Sequence, residues 1–162
     1  MEIKKNLNIL FWGNSGNYPY QLAKMLRKNH NVEMFLMKSD NQWVNNNQDD
    51  KELNSSDWIK EYDNTSFLKA TFINKEVLKY INNNFDIAIV CGVSIQSAFN
   101  FKIPYVIFPT GGEINSSPFL SYTSFLNPKI LLTQIFYNIA IQKAQKILST
   151  ADGFKYHLNA YS

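Results

Sequence analysis

Cysteine is nearly missing from this chain: Cys91 is the only one in 162 residues. A disulfide within the chain is therefore excluded, and so are the C-x-x-C redox motif and the paired-cysteine spacing of a structural zinc site. Cys91 itself reads as a small buried apolar residue, since a nucleophile needs a histidine partner that the sequence does not place. Long hydrophobic runs are missing too. No stretch approaches the roughly 18 apolar residues of a membrane span. Charge of one sign never accumulates: 16 basic residues are scattered among 13 acidic ones for a formal charge of +3. That leaves no basic arm or stripe for nucleic acid, and no nucleic-acid partner is expected.

What is present points to a folded domain. Hydrophobic residues make up 45% of the chain, with 12 Phe, 9 Tyr and 3 Trp, which argues against disorder. The length suits one domain with a sizeable core. Basic residues at Lys4 and Lys5 precede an apolar run, but that run lasts only from Leu7 to Trp12 and no small-residue cleavage site follows. It reads as a strand of a cytoplasmic protein rather than as a signal peptide.

The organising stretch is Asn6 to Arg27. Leu7–Trp12 has Asn8 as its one polar member and fits a strand buried on both faces. Gly13-Asn14-Ser15-Gly16-Asn17 breaks it with residues that tolerate positive φ. From Tyr18 the period changes from 2 to 3.6, with Tyr18, Leu22, Met25 and Leu26 on one side and Pro19 suited to the first turn. This is the opening βα unit of an open α/β sheet. In such a unit the loop at the strand's C-terminal end is a ligand position, favouring anions at the helix N-terminus.

The remaining chain repeats the theme. Val32–Met37 reads as a second strand, 39–56 as a long flexible polar loop, and Asp57–Tyr62 and Asn74–Asn83 as short helices, the second with Asn74 as cap and Glu76 in its first turn. Phe85–Val90 reads as the third strand, followed by a glycine at 92 and a short helix over Ser94–Phe99. Tyr105–Phe108 is the fourth, opening into Thr110-Gly111-Gly112-Glu113. Pro128–Lys146 is the longest helix, Ile147–Thr150 a fifth strand, and Asp152–Tyr161 the start of another helix. His30, in the turn before the second strand, reads as an ordinary surface residue. The alternation predicts a Rossmann-like α/β fold, an open parallel sheet with helices on both faces. A flavodoxin-like receiver is the runner-up, but it wants an acidic cluster after the first strand that Gly13–Asn17 lacks.

Motif by motif, much chemistry is excluded. There is no H-E-x-x-H, no Walker lysine after Gly16, no G-x-S-x-G elbow, and no pair of carboxylates beside a glycine loop, Glu113 standing alone. Gly13-x-x-Gly16 departs from the G-x-G-x-x-G dinucleotide order, which disfavours NAD, and also serves as a plain βα turn. No metal-ligand cluster and no cofactor are expected.

Taken together, NILFWGNSGNYPYQLAKMLRK, NNFDIAIVCG, IPYVIFPTGGEI and KAQKILSTADG resemble the N-terminal, acceptor-side domain of GT-B fold glycosyltransferases, particularly the glycosyltransferase family 4-like group. The resemblance covers most of the chain. It departs from the family at Glu113, where aspartate is usual, and at Gly111, where histidine is often found. It implies an enzyme, of hexosyltransferase type, that moves a sugar from a nucleotide-sugar to a sugar or lipid-linked acceptor. A C-terminal donor-binding domain bearing E-x7-E carboxylates, absent from these residues, would complete it, so that the 162 residues alone are expected to be inactive. Gly13, Asn14, Ser15, Gly16 and Asn17 would form the first substrate-binding loop, and Thr110, Gly111, Gly112 and Glu113 the second. No catalytic residue is assigned, and the nucleotide-sugar is a co-substrate rather than a cofactor. The other class left open is a non-catalytic nucleotide- or partner-binding module, such as the acceptor half of a two-polypeptide transferase. The aromatic and hydroxyl-rich run Phe119–Leu126, with Lys129, Lys143 and Lys146 nearby, further suggests peripheral contact with the inner face of a membrane, against the plainer reading that these aromatics pack under the long helix.

Overall fold

The computed structural model describes residues 6–14, 18–38, 56–109 and 127–148. They form β1 (Asn8–Trp12), α1 (Tyr18–Leu26), β2 (Asn31–Met37), β3 (Ile59–Tyr62), α2 (Phe67–Thr71), α3 (Lys75–Asn84), β4 (Ile87–Cys91), a 3-10 helix (Gly92–Asn100), β5 (Tyr105–Phe108), α4 (Pro128–Lys143) and β6 (Lys146–Ile147). The six strands make one sheet in the order β3-β2-β1-β4-β5-β6, and every pairing in it is parallel. This is the strand order of a doubly wound Rossmann-like sheet.

Parallel strands covered on both faces need apolar residues on both, and the alternation sorts them cleanly. Leu10, Trp12, Phe35, Ala88, Val90, Tyr105 and Ile107 point to the side carrying α3, the 3-10 helix and α4. Ile9, Phe11, Val32, Met34, Leu36, Ile89 and Cys91 point to the side carrying α1. β1 is central, and Leu10, Phe11 and Trp12 are completely buried. Trp12 fills the larger core, with Phe35, Tyr62 and Phe101 rings 5.4, 4.9 and 5.7 Å from its own.

Helix starts follow local chemistry. Asn74 and Asn127 cap α3 and α4, each side chain accepting from a backbone N–H two residues on, at 2.8 and 3.0 Å. Pro128 takes the first turn of α4. His30 is half-buried rather than a plain surface residue: its Nδ1 accepts from the Leu7 N–H at 3.3 Å and ties the entry of β1 to that of β2.

Three expectations are corrected. Asp57–Tyr62 is not a helix: its last four residues are β3, paired with β2 from Met34↔Ile59 to Met37↔Tyr62. The stretch is too short to bury a helical stripe, whereas the open edge of β2 offers a full ladder. Trp58 stacks on Tyr20 at 5.9 Å, and Lys60 reaches Glu33 at 2.6 Å and Tyr80 at 2.9 Å. The sheet consequently has six strands rather than five. The short helix after β4 is longer than expected, running over Gly92–Asn100 rather than Ser94–Phe99, and is of the 3-10 type. Its spacing of three is reinforced by Ser94 Oγ donating to Cys91 O and Ser97 Oγ donating to Ser94 O, both at 2.7 Å. The long helix stops at Lys143 rather than Lys146, because Gln145 and Leu148 donate instead to Tyr105 and Ile107 of β5, at 2.9 and 2.8 Å. The predicted fifth strand accordingly begins at Lys146 and is the short edge strand β6. Of the loop expected over 39–56 all but Ser56 lies outside the described residues, as do the run Phe119–Leu126 and the helix expected over Asp152–Tyr161.

Candidate functional site at the rim between β1 and β4

The strand order reverses beside β1: the chain builds outward through β2 and β3, then returns to the other side of β1 with β4. In open α/β sheets the crevice outside the carboxyl ends of the strands at that reversal is where ligands bind. Here it is bounded by Gly13-Asn14 after β1 and Gly92 after β4.

Both glycines have left-handed backbones, Gly13 at φ 91° and Gly92 at φ 60°. For Gly13 the requirement is double. Its N–H donates to Phe35 O at 2.9 Å, pinning the end of β1 to β2. A Cβ at this position would fall on Ser94 Oγ and lie 2.6 Å from the Cys91 carbonyl oxygen. The first glycine thus lets the turn after β1 and the start of the 3-10 helix touch across the reversal.

The rim is polar but carries no charge among its described residues. Asn14, Ser94, Gln96, Ser97 and Gln134 are all at least 94% buried, an unusual concentration for side chains that must stay hydrogen-bonded. Trp12 Nε1 donates to Ser97 Oγ at 2.9 Å, and Ser97 Oγ donates in turn to Ser94 O. Tyr137 of α4 donates its hydroxyl to Gly92 O at 2.8 Å. These bonds join the first strand, the 3-10 helix and α4 into a stiff polar collar. Its hydroxyls are buried and committed to bonds within the chain, so the collar shapes the rim, and none of its named side chains is a histidine or a carboxylate that could serve as general base.

Of the residues expected at the site, the structure places Gly13 and Asn14 on this rim. Ser15, Gly16 and Asn17 lie outside the described residues, and so do Thr110, Gly111, Gly112 and Glu113. β5 runs parallel to β1 and β4 and delivers Pro109 to the same edge of the sheet. Ser94, Ser97, Gln134 and Tyr137 were not foreseen. A serine every third residue after the Cys91-Gly92 break was the available signal for the first two; Gln134 and Tyr137 sit in a helix that is apolar almost all round, where no spacing distinguishes them. Among the described residues no three His, Cys, Asp or Glu side chains converge on a point that could hold a metal, and no helix is long and apolar enough to cross a membrane. No protein-family model matches the chain, and no curated protein matches it significantly.

Proposed function

We propose that this chain is the acceptor-side half of a GT-B type glycosyltransferase, transferring a sugar from a nucleotide-sugar to an acceptor held at the rim described above. The observation that carries the reading is the rim itself: a parallel Rossmann-like sheet whose reversal point has glycine bends after both β1 and β4 but is filled by an uncharged polar collar. That combination suits hydroxyl-bearing ligands better than a bound dinucleotide. The sequence resemblance adds the class of reaction. Transfer would then depend on positioning and electrostatics, with the acceptor hydroxyl oriented here and the leaving diphosphate held by a donor-binding domain. The glycine loops over Gly13–Asn17 and Thr110–Glu113 would border the shared cleft.

A location at the inner face of a membrane, with a lipid-linked acceptor, belongs to the same proposal. It is supported by Leu132 and Ile135 of α4, which are 41% and 40% exposed, by the exposed Lys129, Lys143 and Lys146, and by the lack of any acidic residue between Glu113 and Asp152. The test is titration of the 162-residue chain, and of the same chain joined to a donor-binding domain, with UDP, GDP and nucleotide-sugars. Weak or no nucleotide binding by the first, and binding with sugar transfer by the second, is the expected result. Tight nucleotide binding by the 162 residues alone would overturn the assignment.

A further inference from the structure

Apart from the β1/β4 rim, the described residues form a concavity at the carboxyl end of β3, with a volume of about 640 Å³, inside the range of small-molecule sites. We propose that this cavity is a binding subsite for a neutral sugar ring. Its role as part of the acceptor site rests on the transferase reading, whereas its occupancy by a sugar does not.

Its walls are Leu68 and Lys69 from α2, Phe72 just after that helix, Tyr62 and Asp63 at the end of β3, and Asn74 at the start of α3. Leu68 and Phe72 are 66% and 47% exposed, a costly arrangement for two large apolar side chains on adjacent turns. The Phe72 ring is not loose. It packs edge-on against Phe99 at 6.0 Å and Phe136 at 5.4 Å, and these two stack on each other at 4.8 Å. A fixed aromatic surface is therefore held open to solvent. Tyr62 shapes the floor, its hydroxyl accepting from the Asn74 N–H at 3.2 Å and donating to Lys69 O at 3.4 Å.

The polar groups choose among ligands. Asp63 pairs with Lys69 and accepts from the Thr65 hydroxyl and amide at 2.7 and 3.1 Å. The Lys69 hydrogen bond, with those from Thr65, holds the Asp63 carboxyl far below the usual carboxylate range, so it is ionised at any ordinary pH. An anionic ligand would meet that carboxylate. A purely apolar tail would strip water from an ion pair without replacing it. A neutral ring with one C–H face and a rim of hydroxyls satisfies both surfaces, its face on the aromatic and aliphatic wall and its hydroxyls donating to Asp63. Asn74 commits its Oδ1 to capping α3 at 2.8 Å, which leaves its amide N–H groups as donors to the same ring. β3 lies two strands from β1, about 10 Å across the sheet at the usual strand spacing, and ends at the same edge. A sugar here would sit within one or two residues of an oligosaccharide reaching the β1/β4 rim.

The experiment is a ¹H–¹⁵N titration of the 162-residue chain with methyl glucoside, methyl galactoside and methyl N-acetylglucosaminide, and with inorganic phosphate as the anionic comparison. At least one glycoside is expected to saturate in the millimolar range with shifts concentrated over residues 62–77, and phosphate to leave those residues unmoved. Phe72→Leu, which keeps an apolar contact to Phe99 and Phe136 but loses the flat face, should weaken binding about tenfold, or about 1.4 kcal/mol. Asp63→Asn, at an exposed position that tolerates the change, should weaken it severalfold. No saturable shift around the cavity, or affinities unchanged in both variants, would overturn the proposal. With a donor-binding domain attached, sugar transfer that proceeds with an unaltered acceptor KM in both variants would remove the cavity from the acceptor site and leave the transferase reading standing. Glycoside binding in the cavity with no transfer from any nucleotide-sugar would do the reverse.

Discussion

Replacing Gly13 by alanine tests the close contact on which the rim is built. The residue has φ 91°, a conformation that costs an L-amino acid about 1–2 kcal/mol. The added methyl would also lie 2.6 Å from the Cys91 carbonyl oxygen and overlap Ser94 Oγ. Ser94 cannot swing aside without giving up its 2.7 Å bond to that same carbonyl. Overpacking of this kind adds about 1–3 kcal/mol, so Gly13→Ala should cost roughly 3 kcal/mol in all, a large part of the 5–15 kcal/mol that holds a domain together. At a urea dependence of about 2 kcal/mol per molar, the midpoint should fall by about 1.5 M. Trp12, fully buried next door, supplies the fluorescence signal. The second arm of the cycle is Ser94→Ala. Combined with Gly13→Ala it removes the overlap with the hydroxyl but neither the backbone strain nor the approach to Cys91 O, so the double variant should recover only about 1 kcal/mol relative to additivity. A loss below about 0.5 kcal/mol for Gly13→Ala, the size of an ordinary surface change, would refute the packed contact. Strict additivity would refute the part assigned to Ser94.

Two further outcomes follow from buried or half-buried polar groups. Tyr105 donates to Ala140 O at 2.6 Å, and burial pushes its phenol above the usual value. A folded-state pKa above the unfolded value of about 10 means its contribution is complete below pH 10 and drains away as pH rises further. Tyr105→Phe should cost about 1 kcal/mol at pH 8 and make urea midpoints fall less steeply above pH 10; an unchanged alkaline slope would contradict this. Lys60 is partly desolvated, which opposes its charge, but hydrogen bonds with Glu33 and Tyr80 outweigh that and raise its pKa. Its contribution is therefore present below its ordinary value near 10.5 and is lost as pH climbs through the raised one. Since its side chain is 39% exposed, screening limits the loss in Lys60→Met to about 1 kcal/mol or less. The local effect should be larger: amide exchange over residues 59–62 should accelerate while that of β1 stays unchanged, and equal protection of β3 in the variant would show that the ion pair does not hold this edge.

Local chemistry in the chain reached far into the fold. Continuous apolar strands at β1, β2, β4 and β5, an asparagine cap at 74, a proline opening α4 at 128, and glycines where strands end each state their role within a few residues, and together they imply parallel pairing with helical crossovers. Gly13 and Asn14 were legible as rim residues for the same reason: a glycine after a buried strand must turn there. β3 was not legible, because four residues of mixed polarity carry no periodicity of their own and became a strand through the open edge of β2. That one misreading also hid the cavity, since Asp63 and Phe72 draw attention only once Tyr62 is known to end a strand at the carboxyl edge of the sheet.

The sequence by itself determined the elements whose burial pattern and capping are local, and hence the class of fold. Only the tertiary structure decided the strand order, the contact of Gly13 with Ser94, and the open face of Phe72. Each of these depends on residues dozens of positions apart, where the competition between a helix, a sheet edge and solvent is settled by the neighbours that the rest of the chain brings within reach.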